Sequence, residues 1–371
     1  MEVRRVRQAD LAALMDFWRK LRGQGPTPED LSIKDSERSD PSIFENPFCV
    51  HESTSLICLE GGEIVGNLNL SDCPAWLHGN QVDCVWWQDF FVLPDERGEP
   101  QKGIGGPLAM VAQRVSNRHA VLGTPGPGSP VFQLYERLRW RYLGAVPFFF
   151  LILQPSRVLR QLEYLRKREV LGKAAKVGSY LLVPGLCIRW LHYIRGAWKV
   201  KNNLRETHVE QVREFDERAD KLWHDCRSKY SNIFDRSSKY LNWRYKAPGY
   251  SRAMVHKGRE NIGWFVYKCT KMRNDKYFGN LTVGTIVDTL VDPTSRENIA
   301  AALSQVVSQI REKDADLIVC NFSERRIATT ARALGFLRGP SNYHFLAKGF
   351  DSNTLGNWHL TRGDSDGDGQ L

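Results

Sequence analysis

Glycines at 103, 105 and 106 stand directly before Pro107 and an apolar run, Leu108, Val111, Ala112 and Val115, spaced as one face of a helix. A helix N-terminus leaves several backbone N–H groups without partners and carries the positive end of the helix dipole. Bare backbone at that point therefore suits an anion, a pyrophosphate above all. Neither phosphate-loop pattern fits: G-x-G-x-x-G fails at Leu108, and no G-K-[ST] is present. Other chemistries are poorly supported. The eight cysteines (49, 58, 73, 84, 187, 226, 269, 320) are scattered, with no C-x-x-C pair and no metal-like grouping with the nine histidines. No Ser/His/Asp or Cys/His set has a readable spacing. DSDGDG (364–369) opens like a calcium loop, but the chain ends at Leu371 before the bidentate glutamate.

The elements that must position the glycines recur along the chain. The first copy begins with Asp10 as a helix cap and Leu11, Leu14, Trp18 and Leu21 on one helical face. A hairpin follows at STSLICLEGGEIVGNLNLS, turning at EGGE, and then the strand VWWQDFFVLP, the glycine segment and its helix. The second copy gives the strand GTIVDTLVDP and a helix with Ile299, Leu303, Val306 and Ile310 on one face. DFFVLP (89–94) matches DTLVDP (288–293) at Asp, Val and Pro, and LYERLRW in the first copy takes the place of ARALGF in the second. Two related α/β domains joined by a connector is the simplest organisation. The expected boundaries are 1–155, a connector 156–205, 206–350, and an acidic mobile tail 351–371 that alternatively folds back on the connector.

A length of 371 residues also fits two domains, and the 42% apolar and 25% charged content is ordinary for a soluble protein. No 18-residue apolar run and no signal-type apolar stretch at the N-terminus are present, so the expected location is cytoplasmic. The net charge of +10 is concentrated: residues 157–205 hold twelve Lys or Arg against Glu163 and Glu169. The same segment contains YLLVPGLCIRWLHYI (180–194). It is read as a helical connector packed on its own domains, with peripheral membrane contact as the second reading and nucleic acid as the least favoured partner. Tyr240, Trp243 and Tyr245 in FDRSSKYLNWRYKAPGY are expected in the core.

The combination of QDFFVLPDERGEPQKGIGGPLAMVAQ with LYERLRWRYLG resembles the GNAT superfamily of N-acetyltransferases. Its members have a bulged strand, a loop R/Q-x-x-G-x-G/A leading into a helix, and a closing motif like Y-E-[KR]-x-G-F. The likeness covers about residues 10–150, and the order of elements extends it to about 206–350. A looser likeness, carried by YLNWRY and HLTRGDSDGD, is to bacterial tandem GNAT-like proteins associated with polysaccharide biosynthesis.

The resemblance implies a mixed α/β fold of two tandem GNAT-like domains, the second degenerate. It implies acetyl-CoA as cosubstrate, held by Val92 and by Gln101, Lys102, Gly103, Ile104, Gly105 and Gly106, and an amine acceptor, either an amino sugar or a protein or peptide amine. By position, Tyr135 matches the family's general acid, the alternative being an aromatic packed under the last strand. The base falls to Asp89, or to Gln88 through a water, and strand alternation lets only one of the two face the cleft. Asp288, the repeat's counterpart of Asp89, favours a fold-level role for both. One departure stands out: the loop's Arg or Gln is replaced by Pro100 at the third position before Gly103. Either Arg97-Gly98 opens the loop with Glu99-Pro100-Gln101 inserted, or the loop begins differently. The second copy has no glycine between 284 and 335 and Ala331 in place of Tyr135, so it is expected not to catalyse. A non-catalytic scaffold docking on a membrane or an anionic polymer is the alternative function.

Overall fold

The computed structural model describes residues 1–23, 41–95, 101–155, 157–158, 206–275, 277–351 and 354–365. The basic connector and the membrane reading attached to it lie almost wholly outside these residues. Among the described residues no helix is long and apolar enough to cross a membrane.

The first half runs β1 (Glu2–Arg5), a helix Leu11–Gly23, the hairpin β2 (Leu56–Glu60) and β3 (Glu63–Asp72), and a short hairpin β4 (Ala75–Leu77) and β5 (Asn80–Val82). It continues through β6 (Val85–Val92), a helix Gly105–Ala112, β7 (His119–Thr124), a helix Pro130–Arg137, β8 (Arg141–Ala145) and β9 (Phe148–Ile152). Gly61 and Gly62 both have positive φ in the β2–β3 turn, which is why EGGE makes the hairpin.

The second half runs β10 (Thr207–Val212), a helix Glu217–Cys226, β11 (Asn232–Phe234), a helix Ser238–Arg244, β12 (Ser251–Lys257), β13 (Glu260–Lys271) and β14 (Thr282–Val291). A helix Arg296–Glu312, β15 (Leu317–Asn321), a helix Arg325–Ala333, β16 (Leu337–Gly339), β17 (His344–Lys348) and β18 (Trp358–His359) complete it. Tyr240 and Tyr245 are buried as expected, and Trp243 packs on the same cluster.

Two seven-stranded sheets follow one plan. Their orders are β1-β2-β3-β6-β7-β17-β8 and β10-β12-β13-β14-β15-β9-β16. Each takes its sixth strand from the other half of the chain, which corrects the expected boundary at 155. Strand β9 pairs with β15 and β16, while β17 pairs with β7 and β8. Both exchanged strands pack apolar side chains on both faces: Phe149 and Leu151 are buried on one side of β9 with Phe148 and Phe150 half-buried on the other, and Phe345 and Ala347 are buried opposite Leu346 in β17. A strand of that kind needs neighbours on both edges and cover on both faces.

The first sheet has two differently covered faces. Leu68, Leu70, Trp87 and Leu346 meet the helices Gly105–Ala112 and Pro130–Arg137 on one. On the other, Ile57 meets Phe17 and Trp18 of the first helix, and further along Trp86 and Phe345 join Phe234, Trp264 and Trp358 of the second half in a shared aromatic core. A four-stranded sheet, β18-β11-β4-β5, spans the same junction.

Candidate active site

Strand β6 pairs with β3 from Val85 to Val92, but with its parallel neighbour β7 only at Val85↔His119 and Trp86↔Ala120. Beyond Trp86 the two strands part. The cause lies at Asp89, an extra residue between Phe90, opposite Leu68, and Gln88, opposite Asn69. Asp89 takes φ +43°, a left-handed conformation that Asp tolerates better than most residues, and such a bulge bends and twists its strand. The bulge also breaks strict alternation, so the choice between Gln88 and Asp89 is not decided by period. The Asp89 carboxylate accepts a hydrogen bond from Asn69 Nδ2 at 3.1 Å, on the face opposite the two helices.

The three glycines beyond β6 do different things. Gly103 sits at φ +89°, where a side chain would be strained. A Cβ on Gly105 would make ordinary contact with Phe90 at 3.5 Å and Val92 at 3.9 Å, and one on Gly106 would meet nothing within 4 Å. The helix that begins at Gly105 has no side-chain cap. Its first intrahelical bond runs from Leu108 N–H to Ile104 O at 3.4 Å, so the Gly105 and Gly106 amides precede the ladder, and Pro107 has none. Lys102, Gly103 and Gly106 are exposed, whereas Ile104 is buried and anchors the turn. The Gln101 amide is committed to Leu93 O at 3.1 Å, so of the turn that enters this helix only Lys102 to Gly106 could offer amides to a ligand. Val92 ends β6 beside it. The glycine that seats this helix on the sheet is Gly66 of β3, where a Cβ would lie 2.8 Å from both Ile104 Cγ2 and Leu108 Cδ1. That role was not readable from spacing. Open amides, a cationic Lys102 and room at Gly106 fit the phosphates of an acyl-CoA.

Tyr135 comes from the helix Pro130–Arg137, which starts with Ser129 Oγ accepting from Phe132 N–H and Pro130 in its first turn. The ring is 2% exposed, with centroids 5.9 Å from Trp87 and 5.0 Å from Trp140. Trp87 Nε1 donates to His119 Nδ1 at 3.1 Å, and burial holds the His119 imidazole below its usual range, so it stays neutral. Tyr135 and Asp89 thus flank the parting of β6 and β7 from opposite faces of the sheet.

The second sheet repeats the device and closes it. Strands β14 and β15 pair in parallel only from Val283↔Leu317 to Thr285↔Val319. The following helix is capped by its own Ser295, whose Oγ accepts from Asn298 N–H at 3.2 Å, and Glu297 in the first turn repels anions. The gap is filled by the C-terminal segment: Gly363 N–H bonds Val287 O at 2.7 Å, Thr361 bridges to Phe322, and Ser323 N–H bonds Leu360 O at 3.1 Å. Gly363 is needed here, since a Cβ would lie 2.1 Å from Tyr245 Oη. Asp364 accepts two bonds from Arg236 Nη2, at 2.7 and 2.8 Å, and Arg236 Nε lies 3.0 Å from Asp288, with all three side chains about 1% exposed. Asp288 also accepts from Tyr245 and Thr361. The expected mobile acidic tail is therefore corrected over 358–365, whose aromatic and apolar residues Trp358 and Leu360 are buried and whose Asp364 is neutralised inside. The same contact commits the first ligand position of the calcium-like DSDGDG.

His359 gives this segment a pH signature. Its Nε2 meets Thr289 O at 3.0 Å, and burial, reinforced by Arg236, moves it from the ordinary 6.5 down to about 4. Between those values the unfolded chain binds a proton that the folded chain refuses, so stability rises with pH by about 1.4 kcal/mol per unit. Urea unfolding across this range should show a slope smaller in His359→Gln than in wild type by up to about 1.4 kcal/mol per unit. An unchanged slope in the variant would show that His359 does not drive it.

No protein-family model and no curated protein matches the sequence. Solved structures do. A GCN5-related N-acetyltransferase from Anabaena variabilis shares a TM-score of 0.57 at 10% identity, over 93% of this chain and 72% of that one. One from Kribbella flavida gives 0.57 at 14%, over 96% and 72%. The N-myristoyltransferase of Saccharomyces cerevisiae, solved with bound myristoyl-CoA, gives 0.51 at 11%, over 84% and 73%. At such identities the likeness is one of architecture: this chain has the fold of the GCN5-related N-acetyltransferases.

Proposed function

We propose that the chain is an acyl-CoA-dependent N-acyltransferase whose first sheet carries the reaction and whose second is structural. The observation that carries this reading is the contrast between two equivalent clefts. One has an uncapped, glycine-led helix beside a parted strand pair, while the other has a capped helix and a gap filled by the chain itself. Acetyl-CoA is the proposed cosubstrate, and when bound it supplies the acyl group as an activated thioester. The amides of Lys102 to Gly106 hold its phosphates, and the free edge of β6 out to Val92 receives the amide-bearing arm. Asp89 takes a proton from the acceptor amine as the nitrogen forms its bond to the acyl carbon. Tyr135 gives its hydroxyl proton to the departing sulfur as the carbon–sulfur bond breaks. The acceptor is an amino sugar or a peptide amine, the former suiting a role in polysaccharide biosynthesis.

Calorimetric titration with acetyl-CoA and, separately, myristoyl-CoA tests the reading and selects the acyl length. Ligand at 100 times its Kd should stabilise the fold by about 2.7 kcal/mol, and binding of neither thioester would refute the proposal. Tyr135→Phe should lower turnover by about 10²-fold with acyl-CoA affinity unchanged. A variant with near-normal turnover would reduce Tyr135 to its packing against Trp87 and Trp140.

A further inference from the structure

The ladder of β10 and β12 ends at Val212↔Arg252, and a groove of about 570 Å³ opens there between residues 211–214 and 250–252. Its walls are held firmly. The Arg252 guanidinium donates to the carbonyls of Arg213 and Tyr245, which ties the exit of β10 to the entry of β12. Asn242 clamps the next turn, accepting from Phe215 N–H at 2.8 Å and donating to Phe215 O at 2.9 Å. Arg213 is exposed and Arg252 half-buried, and among the described residues neither is within ion-pair distance of a carboxylate, Glu214 on the rim included. Burial works against the charge on Arg252, so the guanidinium lies below its usual range, with Glu214 opposing that from further off. Lys313 brings a third cation to the same wall, its Nζ donating to Ser251 Oγ at 2.7 Å. The rest of the lining is Gln211 and Ser251, which are polar, with Val212 and the ring of Tyr250.

We propose that this groove binds an acidic sugar, with its carboxylate or phosphate at Arg213 and Arg252 and its ring against Tyr250. Cations without acidic partners call for an anion, and a guanidinium matches an oxyanion with parallel N–H groups. Two of the five N–H groups of Arg252 are spent on carbonyls, so each terminal nitrogen keeps one to offer. The lining is too polar for an acyl chain. The space is also far larger than a bare anion fills, since a water takes only about 30 Å³. Hydroxyls of a sugar find donors and acceptors in Gln211 and Ser251, while its C–H face suits an aromatic wall. The site is built from the second half of the chain, apart from the glycine-led helix of the first sheet, so it stands whether or not that sheet transfers an acyl group. It gives the half without a reaction a ligand of its own.

The test is calorimetric titration of the full-length protein with sodium glucuronate and with glucose-6-phosphate, which present a carboxylate and a phosphate on similar rings. Glucose is the neutral control, and sodium acetate and sodium phosphate at equal ionic strength are the bare anions. At least one acidic sugar should bind more tightly than every control. Arg213→Gln should weaken that binding about tenfold, the loss of one charge-assisted contact, with the melting temperature unchanged because the side chain is exposed. Arg252→Lys, which keeps the charge and loses the fork, should weaken it as well. Gly106→Glu should leave it untouched, so this site and the acyl-CoA site are read separately. Binding of neither acidic sugar, equal binding of glucose or of the bare anions, wild-type affinity in both arginine variants, or loss of binding in Gly106→Glu would each overturn the proposal.

Discussion

Arg236→Ala should cost about 3–5 kcal/mol of unfolding free energy, the usual penalty for stripping the partner from a buried ion pair. The guanidinium is 1% exposed and serves two carboxylates, Asp288 and Asp364, while also donating to the carbonyls of Phe234 and Asp235. Burial already pushes the Asp288 carboxyl upward, opposed chiefly by Arg236, so removing the cation leaves two like charges in a dry site. Asp364 anchors the segment that fills the second cleft. The loss should therefore reach beyond global stability: the Gly363 amide, bonded to Val287 O, should exchange its hydrogen faster in the variant than in wild type. Urea unfolding reads the first effect and hydrogen exchange the second. Adding Asp364→Ala to Arg236→Ala should recover part of the loss, because one of the stranded charges is then gone. Wild-type stability in the single variant would show that the ion cluster contributes nothing net.

The repeat was legible because DFFVLP and DTLVDP both end a strand with the same proline, and structurally they close β6 and β14 of two identically ordered sheets. The hairpin at EGGE and the helix after Gly106 were legible because turn chemistry and helical spacing are local. The exchange of β9 and β17 was not. FFFLI and HFLAK read only as short apolar runs, and which sheet takes them depends on partners far along the chain, such as Val319 for Phe150 and Val121 for Leu346. Composition misled at the tail. HLTRGDSD reads as a solvated acidic stretch, yet Arg236 lies far upstream in the chain and neutralises its Asp364 inside the core. The burial of Asn67 and Asn69 in β3 carries no signal at all in one sequence, since alternation predicts polar residues there whether the face is wet or buried.

Gly106→Glu should abolish acyl-CoA binding while leaving the fold intact. The position separates the two effects better than its neighbours. At Gly103, φ of +89° would strain any side chain, so lost binding there could follow from a disturbed turn. At Gly105 a new Cβ would touch Phe90 and Val92, both part of the strand beside the cradle. At Gly106 a Cβ meets nothing within 4 Å, and the residue is exposed. The glutamate therefore adds bulk and a negative charge only where the anion is meant to lie, next to amides that the helix does not use. A carboxylate in the first turn also suits the helix dipole, so the helix itself should be preserved or slightly favoured. Two measurements on one sample decide the matter: the melting temperature without ligand should match wild type within a degree or so, given the small effects of exposed substitutions, and the stabilisation by saturating acyl-CoA should vanish. Gly106→Ala, which fills little of the space and adds no charge, should weaken binding only modestly. Were Gly106→Glu to keep wild-type affinity, the phosphates would have to lie elsewhere, and the uncapped helix would be a structural feature without a ligand.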